Sequence, residues 1–209
     1  MLLRATLKPM KVRRRTAFGT LLLCAALQIP EAVYADIVTV RIGHAAPTSG
    51  WLAAVGIENE NAARLAIRAL NQRDEQLQGG TLRFELLTVD DAGDAGRARD
   101  AAQALVDRGA AVVVGHLLSG STLAAAPMYA RAGVAQVSPS SSIGSYTRSG
   151  WPTAFRLTAD DVRIGELLAR HAVDHLGLRR FVLVDDHSTW GRGLATDFAL
   201  ALRSAGGDV

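Results

Sequence analysis

Residues 112–122 read Val112-Val113-Val114-Gly115-His116-Leu117-Leu118-Ser119-Gly120-Ser121-Thr122, an apolar run that ends in hydroxyls and glycine. A β-branched run bounded by glycine is the pattern of a parallel strand covered on both faces. Leu123-Ala124-Ala125-Ala126 then resumes with a helical composition, so the hydroxyls fall between a strand end and a helix start. In open α/β sheets ligands bind at such places, where backbone N–H groups converge on a helix N-terminus.

The same rhythm extends in both directions. Ile37 to Ile42 alternates and stops at Gly43, a first strand, and His44 to Trp51 is rich in turn residues, a loop. Ala62, Leu65, Ala66, Ala69 and Leu70 recur at helical spacing between Gly56 and Arg73, with Glu58, Glu60, Arg64 and Arg68 on the other face. Leu82, Phe84 and Leu86 alternate as a second strand that ends at Asp90-Asp91, and Ala98, Ala101, Ala102, Leu105 and Val106 make the next helix. Val134 to Val137 is a fourth strand, and it too runs into hydroxyls, Ser138-Pro139-Ser140-Ser141-Ser142. Strand alternating with helix predicts an α/β fold with a doubly wound, mainly parallel sheet.

Beyond that the rhythm changes. Tyr146 to Pro152 reads as an irregular excursion, Ala154 to Leu157 as a short strand, and Asp160 as the N-cap of a helix through Val173. Phe181-Val182-Leu183-Val184, ending at Asp185-Asp186, starts a second βα series, followed by a helix to about Ser204 and the opening of a further strand near Val209. This places a first lobe at 36–158 and a partial second lobe at 159–209.

Residues 1–35 stand apart. Arg4, Lys8, Lys11, Arg13, Arg14 and Arg15 form a basic region, Phe18 to Leu27 an apolar one, and Val33-Tyr34-Ala35 a small-residue cleavage site. That is the make-up of a secretory signal peptide cut after Ala35, with an uncleaved anchor disfavoured by the short apolar run. The segment also carries the chain's basic balance, because residues 36–209 hold 17 basic and 19 acidic side chains, a net charge of −2. A nucleic-acid partner is therefore not expected. Cys24 and both lysines, Lys8 and Lys11, lie in the same segment, which excludes disulfides, thiol chemistry and lysine catalysis from the rest.

Catalysis and metals find little support. No G-x-S-x-G elbow surrounds Ser119 or the Ser140–Ser142 run, and the nearest base, His116, sits in the same strand end. His171 and His175 are spaced i, i+4 but lack the glutamate of a zinc motif. No G-x-G-x-x-G follows the first strand, and Asp90-Asp91 reads as a helix cap in preference to a cation or ribose contact. We expect no cofactor, no metal and no enzyme activity. Two clusters of hydroxyls and free amides on successive strand ends instead suit a small anion such as a carboxylate, against the plainer reading that serine-rich loops are only loops.

Several stretches together carry a resemblance: Ile42-Gly43 to Gly56, Glu58 to Ile67, Val89-Asp90-Asp91-Ala92, Val114-Gly115-His116-Leu117, Ser138-Pro139 and Trp190-Gly191-Arg192-Gly193-Leu194-Ala195. In that order they resemble the periplasmic substrate-binding proteins of branched-chain amino acid ABC transporters, two-lobed proteins that close on a ligand about a hinge. The resemblance implies that Ser119 gives its hydroxyl to the ligand carboxylate. It implies that Ser140, Ser141 and Ser142 offer a carbonyl, a hydroxyl and an N–H to the ligand's two polar ends, and that Trp190 closes the pocket from the second lobe; a packing aromatic is the alternative for Trp190. Gly93 and Leu118 fall where some relatives have a cysteine pair, and Val55 where relatives often have an aromatic ring.

On this resemblance the protein is expected to be a periplasmic, monomeric amino acid carrier that hands its ligand to ABC permease subunits in the inner membrane. Relatives run on for about as far again, so the chain is expected to be an N-terminal portion that binds weakly or not at all. A sensory receptor module of the same fold and, more remotely, a periplasmic hydrolase are the other readings.

Overall fold

A computed structural model describes residues 36–73, 76–77 and 80–209. The expected signal segment, residues 1–35, lies outside the described residues. Among the described residues six strands form one sheet: β1 (Ile37–Ala46), β2 (Gln76–Leu77), β3 (Gly80–Asp90), β4 (Val112–Gly115), β5 (Ala135–Ser138) and β6 (Ala154–Arg156). Their order is β2-β3-β1-β4-β5-β6, and all neighbours run parallel except β2, an antiparallel edge strand. This is the doubly wound, mainly parallel sheet that alternating strands and helices predict.

The helices are α1 (Ala53–Asn71), α2 (Ala95–Asp107), α3 (Ser119–Ala132), α4 (Gly144–Arg148), α5 (Asp161–Arg170) and α6 (Thr189–Ser204), with a short 3-10 turn at Gly50–Leu52 and a π turn at His171–His175 after α5. The chain winds from β1 to β3 in one direction and then passes back to β4, β5 and β6 in the other. Right-handed crossovers consequently put α1 on one face, and α2 and α3 together on the other. The core between the sheet and α2 and α3 holds Ala45, Leu87, Leu105, Val113, Ala125 and Tyr129. A second, smaller cluster of Ala169, Val173 and Leu202 joins α5, the π turn and α6, where Phe181 meets Phe198 edge to face at 5.7 Å.

Several expectations need correction. β1 does not stop at Gly43 but runs through His44, Ala45 and Ala46, all fully buried, because parallel pairing continues on both sides to Thr88–Asp90 and Val114–Gly115. The excursion after Tyr146 is partly helical, as α4. In α1 the expected apolar face is turned outward: Ala62, Leu65, Ala66 and Ala69 are exposed, Leu65 at 61%, and only Leu70 of that set is half-buried. Polar anchors and close contact set the rotation. A Cβ on buried Gly56 would stand 2.0 Å from the Pro47 carbonyl oxygen, Asn59 Oδ1 accepts from His44 Nε2 at 2.9 Å, and Asn71 exchanges two hydrogen bonds with the backbone of Phe84.

Asp90 and Asp91 cap no helix; Asp94 does, accepting from the N–H groups of Gly96 and Arg97 at the start of α2. Residues 181–184 form no paired strand either, and the expected further strand is reduced to one parallel bridge between Arg180 and Asp208. Phe181 N–H donates to the Asp208 carbonyl at 3.0 Å, but past it the segment leaves the pairing, and Val182 and Val184 stand exposed, Val184 at 91%. The Asp160 cap is present, accepting from Arg163 N–H at 2.9 Å.

Candidate functional site

The strand order reverses between β1 and β4, and at such a switch point the loops leaving adjacent strands part and open a crevice. A cavity of about 660 Å³ lies there. Trp51, Leu52 and Val55 line it from beyond β1, Gly93 and Ala95 from beyond β3, and Leu117 to Ser121 from beyond β4. Ser140 and Ser142 reach it from β5, and Asp186 to Trp190 with Arg192 come from the start of α6.

Helix α3 points its N-terminus into this cavity. Its N-cap residue is Leu118, which offers no side-chain cap, whereas α2, α5 and α6 are capped by Asp94, Asp160 and Ser188. The first N–H groups of α3 thus have no side-chain cap, as is also true of α1 and α4, and the helix dipole favours negative charge at the end that opens into the cavity. Ser121 adds a second sign. This residue, only 1% exposed, is part of the cavity lining, and its buried hydroxyl has no partner among the described residues, a situation that costs about 1–3 kcal/mol unless something supplies a hydrogen bond.

The serines the sequence singled out gather here by distinct routes. Ser119 lines the cavity and its Oγ accepts from Ser141 Oγ at 3.3 Å. Ser140 and Ser142 also line it, with Ser140 Oγ donating to the Leu117 carbonyl at 2.6 Å. Ser141 does not reach the wall but stands behind it, fully buried, with its N–H donating to Ser138 Oγ at 3.0 Å. Trp190 faces these serines across the same cavity. Gly93 and Leu118 lie against one another: a Cβ on Gly93 would be 3.0 Å from Leu118 Cδ1.

Ser121 belongs to the hydroxyl cluster the sequence places at this strand end but is given no ligand contact there, and Trp51 is read only as part of a loop. Trp51, 86% exposed, sits at the mouth on the 3-10 turn; an aromatic in the loop after the first strand was the available signal. The charged groups at the mouth are Asp186 and Arg192. The hydroxyl and N–H of Ser188 hold the Asp186 carboxyl below its ordinary value, so it is an anion there, while the Arg192 guanidinium donates to the His187 carbonyl.

The base nearest Ser119 in sequence, His116, is engaged elsewhere. His116 is fully buried, with Nδ1 on Asp91 at 2.6 Å and Nε2 on Tyr129 at 3.2 Å. Among the described residues no group of three or more His, Cys, Asp or Glu side chains is placed to hold a metal. His171 and His175 merely bring their rings within 5.3 Å.

A family profile described as periplasmic binding protein matches residues 39–209. The chain belongs to the periplasmic binding protein family. That family binds solutes and is not enzymatic. This binding protein is 30% identical over 189 residues to a Leu/Ile/Val-binding protein of Rhizobium johnstonii, covering 90% of this chain and 49% of the relative. An ABC transporter substrate-binding protein of Desulfitobacterium hafniense, solved in complex with Leu, superposes with a TM-score of 0.64 at 30% identity, over 82% of this chain and 49% of that one. The branched-chain amino acid transporter substrate-binding protein of Streptococcus pneumoniae, solved with isoleucine, gives a TM-score of 0.70 at 28% identity, over 82% and 48%. The chain spans about half the length of the relatives it matches. No helix among the described residues is long and apolar enough to cross a membrane.

Proposed function

We propose that this protein is the exported solute-binding component of an ABC uptake system and takes a small amino acid, branched-chain in preference, by its carboxylate. The observation that carries the reading is the uncapped N-terminus of α3 opening into the same cavity as the buried, unpartnered hydroxyl of Ser121. In this reading the carboxylate lies on the first N–H groups of α3 and the hydroxyls of Ser119 and Ser121. Ser140 and Ser142 flank it, Ser141 braces Ser119 from behind, and Trp190 and Leu117 cover the side chain. Residues 1–35 serve as the signal peptide, the site of action is the periplasm, the protein works as a monomer, and ABC permease subunits receive the ligand.

Affinity in such a cleft comes from excluding water from these polar contacts. Trp51 and Trp190 both stand exposed at its mouth, so the affinity expected of this chain is in the millimolar range, roughly 4 kcal/mol of binding free energy. Calorimetry with leucine, isoleucine and valine tests this. Heat of binding in that range supports it, and no heat for any of the three sinks it. A second reading has one specific observation in its favour: two indoles, Trp51 and Trp190, line the same cavity. They suit an aromatic carboxylate, and benzoate as a fourth titrant separates the two, since tighter binding of benzoate than of leucine would favour the aromatic ligand.

A further inference from the structure

Beneath the cavity floor lies a buried polar cluster that contacts no solvent. Asp91, His116, Thr122, Tyr129 and Ser138 are all 0% exposed. An ionisable pair in such a place is on average no more stabilising than apolar residues of the same volume, so the role of the cluster is read from what it holds.

The bonding describes that role. Asp91 Oδ1 accepts from Gly93 N–H at 2.9 Å, which fixes the loop after β3, and Asp91 Oδ2 meets His116 Nδ1 at 2.6 Å. Burial, first of all, keeps the Tyr129 hydroxyl protonated, and that hydroxyl lies 3.2 Å from His116 Nε2. On the other side of the ring, Nδ1 faces the Asp91 carboxylate, which can only accept from it. The backbone carbonyl of His116 in turn accepts from Thr122 Oγ1 at 3.0 Å and Ser138 Oγ at 2.9 Å. Ser138 Oγ itself accepts from Ser141 N–H. One residue therefore ties together the loop after β3, the first turn of α3 and the serine loop after β5.

We propose that His116, clamped between Asp91 and Tyr129, is a positioning residue that holds the serine cradle in its ligand-binding arrangement, a role that rests on the carboxylate reading above. It does not touch the ligand; it sets the register of the groups that do.

The test compares wild type with His116→Leu, which loses both ring contacts, and His116→Asn, whose amide can still donate to Asp91. Two quantities are read: hydrogen exchange at the Gly93 and Ser141 amides in ligand-free protein, and leucine affinity by NMR titration. In His116→Leu we expect exchange at both amides to accelerate about tenfold more than at Val40 and Ile42 in β1, and leucine affinity to fall about tenfold, the scale of one lost buried hydrogen bond. His116→Asn should return both toward wild type. If His116→Leu does not fold, Ser138→Ala takes its place: it cuts the link from the His116 carbonyl to Ser141 and should accelerate exchange at Ser141 but not at Gly93, while weakening leucine binding. Uniform acceleration across the sheet, or unchanged leucine affinity in a folded variant, overturns the positioning role alone. Absence of leucine binding by wild type overturns the carboxylate reading, and the positioning role with it.

Discussion

At the scale of single residues, the cradle depends on groups that look alike in sequence but differ in burial. In the carboxylate reading proposed above, Ser119→Ala removes a hydroxyl aimed at a charged ligand group, a contact worth about 1.5–3 kcal/mol. We expect leucine affinity to fall roughly tenfold or more with little change in melting temperature, as read by titration and thermal denaturation of the same samples. His44 supplies a pH dependence. Burial outweighs the Asn59 hydrogen bond and the Glu60 charge and lowers its pKa from the ordinary 6.5, and its Nδ1 has no partner. The unfolded chain therefore binds this proton more readily than the folded one, so the His44 contribution is intact above pH 6.5 and declines as the pH drops below that value. His44→Gln should flatten the fall in melting temperature between about pH 7.5 and about pH 5.5. The hydroxyl clusters were legible in the sequence because small polar residues directly after a β-branched run mark a strand end passing into a loop. Ser121 could not be ranked against its neighbours, since an unsatisfied hydroxyl is defined by what surrounds it in space.

Among elements, strands covered on both faces were the easiest to read, and amphipathic rotation the hardest. β4 and β5 lie within a residue or two of their expected bounds, β4 because a continuous apolar run leaves little choice and β5 because Gly133 and the serines bracket it. The inward face of α1 was misjudged because Gly56, Asn59 and Asn71, none of them apolar, determine it. The segment 181–184 has the composition of a strand, but a strand exists only where a neighbour bonds to it, and among the described residues the pairing here is limited to the single bridge at Arg180 and Asp208. Close helix contact makes a prediction for α5: a Cβ on Gly165 would lie 2.9 Å from the Phe198 amide nitrogen of α6. Gly165→Val should cost about 1–3 kcal/mol by overpacking. The loss should show as faster hydrogen exchange in α5 and α6, whose shared core is small, with β1 and β3 unchanged. Asp94→Ala should lower the midpoint of urea denaturation through loss of the α2 cap.

Over the whole molecule, the sheet order creates the site. Reversal between β1 and β4 brings loops distant in sequence around one crevice, and the family's solute-binding character follows from what those loops carry. The parallel class was legible from alternation alone. The floor of the site was not, because the Asp91–His116 contact joins residues 25 apart that a linear reading treats as a helix cap and a stray base. The central claim is that the α3 N-terminus receives a carboxylate, and a comparison of leucine with leucinol, which lacks that group, tests it most directly. In an NMR titration at matched millimolar concentrations, leucine should shift the backbone amides of Ser119, Gly120 and Ser121 in a saturable way, and leucinol should leave them in place. Equal shifts from both compounds, or leucine shifts confined to residues outside the crevice, would contradict it.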